Sequence, residues 1–119
     1  MHDKLLGLQN QLRMLHWGTP SYAEHKALGK AYESLDGLID TFIETWMGIH
    51  GKSLGTVKLE LHPYKAGSAE KLLDQAVEFF NGELDHILHS SGHPNTDLLN
   101  IRDDMLGVVN HTKYLLTLK

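Results

Sequence analysis

From Ser21 to His50 the chain runs for 30 residues without a proline, and its apolar residues recur three and four apart throughout. That spacing is the period of an α-helix with one buried side. At 1.5 Å per residue the helix is about 45 Å long. Counting 100° per residue from His25, the residues Leu28, Ala31, Tyr32, Leu35, Leu38, Ile39, Phe42, Trp46 and Ile49 share one sector about 120° wide. They are the expected core face. Thr19 is the expected N-cap, with Pro20 in the first helical position, where its missing N–H is not needed.

The rest of the chain supplies partners for that stripe. Leu5, Leu8, Leu12 and Leu15 mark a shorter helix over 3–17, closed by Gly18-Thr19-Pro20. Residues 51–67, GKSLGTVKLELHPYKAG, break the helical period with three glycines and Pro63, and the alternation from Thr56 to Leu61 predicts a short strand. Ser68 is the expected cap of a third helix over 69–90, with Leu72, Leu73, Ala76, Phe79 or Phe80, Leu84, Ile87 and Leu88 inward. SSGHPN turns the chain, and Thr96 is the expected cap of a fourth helix over 97–118. Residues 1–119 therefore read as a single all-α domain, a four-helix bundle. The 17-residue connection, at about 3.3 Å per extended residue, can run back along the whole second helix. Helices two and three are then expected as parallel neighbours joined by a long crossover, which is the ferritin-like connection.

Composition narrows the function classes. The net charge is −4 with no run of Lys or Arg, so the basic footprint of a nucleic-acid binder is missing. There is no cysteine, hence no disulfide framework and no thiolate ligand or nucleophile. No segment approaches the roughly 20 apolar residues that span a bilayer, and MHDKLLGLQNQLR lacks a signal-peptide core, so a cytoplasmic protein is expected. Nine histidines in 119 residues are the one anomaly.

The long helix also carries a second stripe. His25, Gly29, Asp36, Asp40 and Glu44 lie beside the core sector. Carboxylates four apart repel by a few tenths of a kcal/mol per pair, and Gly29 and Gly37 each cost a helix about 1 kcal/mol relative to alanine. A close approach by another backbone accounts for the glycines, and a cation between Asp40 and Glu44 offsets the repulsion. Carboxylate oxygens and imidazole nitrogens together suit Fe(II) and similar ions. The alternative is a solvated acidic stripe. Glu83-x-x-His86 matches half of a di-iron bundle motif, but the second Glu-x-x-His that such a centre needs is absent from the sequence.

The run His16-Trp17, then His25, then Asp40-x-x-x-Glu44 resembles the signature of the Dps family, the miniferritins, and the ending NIRDDMLGVVNHTKYLLTLK is similar to short phage and marine Dps-like proteins. The resemblance implies a ferroxidase centre with His16 and His25 from one subunit and Asp40 and Glu44 from its two-fold mate, Asp36 being a further candidate ligand. It implies iron, as a di-iron or mononuclear centre, with another divalent metal as the substitute. It also implies a homo-oligomer, a dimer at least and a dodecameric shell in the family. The alternative function is a non-enzymatic helical scaffold that kept the fold and lost the metal chemistry.

Overall fold

The computed structural model describes residues 1–52 and 54–119. Among them five helices form: α1 (His2–Gly18), α2 (Tyr22–His50), α3 (Ser68–Asn81), α4 (Glu83–Ser90) and α5 (Thr96–Leu116). Among the described residues there is no strand. The expected third helix is thus two helices, α3 and α4, that meet at Gly82. The bundle has four rods within 45 × 28 × 21 Å, the longest dimension set by α2.

Going round the bundle, α1 touches α2 and α3, and α5 touches α2 and α3. Helices α2 and α3 are therefore diagonal, which corrects the expectation that they are neighbours. Their directions are parallel as expected: Lys119, just past the end of α5, bonds both Glu24 at the start of α2 and Glu70 at the start of α3. The diagonal follows from the width of the α2 stripe, which faces the bundle axis and is flanked by α1 and α5. The core fills that axis with Leu12, Leu35, Phe42, Leu73, Phe80 and Met105, all 0% exposed. Trp17 stands 69% exposed.

The crossover climbs α1. Leu59 lies against Gly7 and Tyr64 against Gly18, where a Cβ would meet Leu59 Cδ2 at 3.8 Å and Tyr64 Cβ at 2.7 Å. Between them the Gln11 amide donates to the His62 carbonyl and accepts from the His62 N–H, both at 2.7 Å. From Gly7 to Gly18 the helix rises about 16.5 Å in eleven residues. The crossover covers that distance in five residues, about 3.3 Å each, which is fully extended backbone. The alternation of Thr56 to Leu61 thus gives an extended segment as its pattern suggests, but not the expected strand, because among the described residues no second strand lies beside it.

Helix ends depart from the expected caps for local reasons. The N-cap of α2 is Ser21, not Thr19: its Oγ accepts from the Glu24 N–H at 3.2 Å, while Thr19 Oγ1 accepts from the Ser21 N–H at 3.1 Å. Ser21-x-x-Glu24 is a capping-box pattern, but the Glu24 side chain is buried and pairs with Lys119 instead of turning back. Its hydrogen bonds to Glu24 and then Glu70 hold the Lys119 amine above the usual lysine range. Gly67, at φ +84, precedes α3 in place of Ser68, whose hydroxyl bonds Lys65. Asn95 precedes α5 in place of Thr96, with its Nδ2 donating to the Leu88 carbonyl at 2.7 Å.

Helices α3 and α4 meet under a clamp. Arg102 Nη1 donates to the Phe80 carbonyl at 3.0 Å and to Asp85 Oδ1 at 2.8 Å, and its Nε donates to Asp103 Oδ1 at 2.9 Å. Phe80 is in the last turn of α3, where carbonyls lose their helical partners. One guanidinium from α5 thus binds the end of one helix and the start of the next. Burial works against the charge on Arg102, but its bonds to Asp85 and Asp103 outweigh it and raise the pKa.

Candidate metal centre

The three-residue link between α1 and α2 forces the last turn of the first against the first turn of the second. His16 and His25 meet there with ring centres 3.8 Å apart and planes 15° from parallel. His16 Nδ1 lies 2.6 Å from the His25 carbonyl oxygen, and His25 Nδ1 lies 2.7 Å from the His16 carbonyl oxygen. A carbonyl can only accept, so each Nδ1 carries the proton. In the neutral rings both Nε2 atoms are then left with bare lone pairs.

The surroundings hold the pair in place. A Cβ at position 29 would lie 2.7 Å from His16 Cε1 and 3.0 Å from its Nδ1, so Gly29 is the floor on which that ring rests. The edge of Tyr32 meets His16 at 5.4 Å, and the Arg13 guanidinium sits 5.1 Å above the Tyr32 ring. Tyr22, 73% exposed, lies alongside His25 at 6.3 Å. Tyr32 packs half-buried against the core, as its place on the expected core face implies, and also meets the pair, whereas Gln9 and Arg13 were not foreseen from the sequence. Their spacing with His16, four and three residues, puts all three on one face of α1 and was the available signal.

The carboxylates are elsewhere in the same chain. Asp36 accepts a hydrogen bond from the Gln9 side chain across the α1–α2 seam. Asp40 and Glu44 are exposed and make no hydrogen bond or ion pair among the described residues. At 1.5 Å per residue they lie about 22 and 28 Å along α2 from His25. The structure thus brings His16 and His25 together and leaves Asp36, Asp40 and Glu44 apart from them. Among the described residues, no three His, Asp or Glu side chains converge in a way that would hold a metal ion. Glu83 and His86 are both exposed on α4. The carboxylate between them, Asp85, is held below the usual range by its hydrogen bond from Arg102.

Fold and site define an all-helical bundle with an imidazole pair seated where its first two helices turn. The chain matches the family of unknown function DUF5856 over residues 16–116 and belongs to that family. It is similar to an uncharacterized 14.6 kDa protein of the mobD–ri intergenic region of enterobacteria phage T4, with 28% identity over 121 residues covering 98% of this chain and 88% of that one. No solved structure matches it.

Proposed function

We propose that the protein binds a divalent transition ion, Fe(II) foremost, through Nε2 of His16 and of His25, and that Asp40 and Glu44 of a second copy complete the site in a ferritin-like, Dps-like arrangement. The reciprocal Nδ1 bonds of the two histidines carry this reading. A ligating histidine commonly donates its other N–H to a carbonyl or carboxylate, which fixes both ring orientation and tautomer. Here both rings are fixed in that way before any ion arrives. The carboxylates would lower the charge of the ion and favour Fe(III) over Fe(II). Each Fe(II) gives up one electron, and hydrogen peroxide takes two electrons and two protons to leave as water, so the site would act as a ferroxidase, with iron storage as its end.

A second reading has an observation of its own. Set antiparallel to a copy of itself so that facing positions sum to 70, α2 places Lys26 opposite Glu44, Lys30 opposite Asp40, and Glu33 opposite Gly37. A Cβ at Gly37 has nothing within 4 Å in the chain, so that position is open to a partner. In such a dimer lysines would neutralise the acidic stripe with no metal, and the bundle would be a scaffold.

Anaerobic Fe(II) titration, followed by oxidant and absorbance, separates the two. The metal reading expects saturable binding that is lost in His16→Ala and His25→Ala and weakened in Asp40→Ala. Absence of saturable binding, or oxidation rates unchanged in those variants, overturns it. Dimerisation that survives chelator but fails in Lys26→Glu supports the scaffold.

A further inference from the structure

We infer that the extended crossover is a pairing edge, and that two copies of the chain join there as an antiparallel β-ribbon centred on Leu59. Among the described residues, no backbone N–H or C=O from Thr56 to Leu61 makes a hydrogen bond within the chain. An exposed extended segment with its backbone unpaired is a template for a second strand.

The geometry selects the edge. In an extended chain the N–H and C=O of one residue point to the same side, and successive residues alternate. The His62 N–H and C=O both turn to Gln11, so Lys58 and Glu60 share that side. Val57, Leu59 and Leu61 offer theirs to the opposite, open side. Pairing through that side about Leu59 sets Val57 opposite Leu61 and Lys58 opposite Glu60 of the other copy. Those charged pairs fall at non-hydrogen-bonded positions, where facing Cα atoms are about 4.5 Å apart and side chains are closest.

The sequence fits a self-complementary edge. Leu59 lies on Gly7 of α1, while Lys58 and Glu60 are exposed, Glu60 lying 3.9 Å from the exposed His62 ring. Edge strands are commonly guarded by charged side chains, lysine above all, or by a proline, and like charges facing each other across a pair oppose it while opposite charges favour it. This one carries opposite charges that exchange places across the two-fold, and its proline, Pro63, comes only after the pairing residues. The seats of the crossover, Gly7, Gln11 and Gly18, lie on the opposite side of α1 from Gln9, Arg13 and His16, about 180° away at 100° per residue. The contact is therefore independent of any pairing through α2.

The native chain has no cysteine, so the test uses full-length Lys58→Cys and Glu60→Cys proteins, oxidised separately and as an equimolar mixture at about 0.5 mM, a concentration suited to a small interface. Facing residues are within disulfide reach, whereas two copies of position 58 are diagonal, about 7–8 Å apart. The mixture should form the cross-linked heterodimer at least about tenfold faster than either protein alone cross-links. By sedimentation, Lys58→Glu and Glu60→Lys should each weaken the dimer, and the double swap should restore it. Equal cross-linking in all three samples, a monomer at every concentration, or a double swap no better than either single change would overturn the proposal; pairing with another protein's strand would leave these same signs.

Discussion

The imidazole of His16 occupies the space that a side chain at position 29 would need, with Cε1 only 2.7 Å from where a Cβ on Gly29 would stand. Alanine there gains about 1 kcal/mol of helix propensity and displaces a ring whose exchange with His25 is two hydrogen bonds at about 1 kcal/mol each. Gly29→Ala should therefore change stability by no more than about 1 kcal/mol yet abolish ion binding at the pair. Gly37→Ala, which meets nothing within 4 Å, should stabilise the monomer by about 0.5–1 kcal/mol. Thermal unfolding and metal titration of the two variants check both statements.

Glu24 is 1% exposed and relies on Lys119, whose side chain is 29% exposed. Removing the cation leaves a buried carboxylate with an oxygen, Oε1, that already lacks a partner. Lys119→Met should cost about 2–3 kcal/mol, below the 3–5 kcal/mol of a fully buried pair because the lysine is partly solvated. Adding Glu24→Gln should recover part of the loss. The raised pKa of Lys119 means the contribution is complete at neutral pH and disappears only as pH rises through the folded-state value. Denaturant unfolding of the single and double variants measures it.

Much of this was readable in the sequence because apolar period and length dominate a helical bundle. The α2 stripe, the leucines of α1 and the extended crossover all follow from spacing. The break at Gly82 was not readable, since a lone glycine is tolerated inside a helix, and what stabilises the break is Arg102, a residue of α5. Neither was the choice of Ser21 over Thr19 as cap, although Ser21-x-x-Glu24 was there to be read. At the site, the meeting of His16 and His25 follows from the short turn between α1 and α2. The role of Gly29 did not, because a glycine facing another backbone and one facing a ring leave the same mark in a sequence.

Arg102 and Asp85 set the acid limit of the α3–α4 joint. The Asp85 pKa is lowered, chiefly by its hydrogen bond from Arg102, so its stabilisation is present above the unfolded value near 3.8 and is lost as pH falls through the lower folded value. Asp85→Asn should be less stable than the native chain at pH 7, and the difference should begin to shrink as pH falls below about 3.8 and vanish only below the lower folded value. Arg102→Lys should not rescue Arg102→Ala, because an ammonium cannot span the Phe80 carbonyl and Asp85 as a planar guanidinium does. Unfolding midpoints against pH would show either failure.

Ion binding at the turn between α1 and α2 requires two imidazoles that hold their protons on Nδ1 and leave each Nε2 free as a donor. Long-range proton–nitrogen NMR of histidine-labelled protein, with Zn(II) as a redox-silent stand-in for Fe(II), reads this directly. The predicted result is the Nδ1–H form for both His16 and His25 in the metal-free state, and both Nε2 signals moving in step to saturation on adding the ion. Protons found on Nε2, or a titration that moves other histidines and leaves these two unchanged, would contradict it.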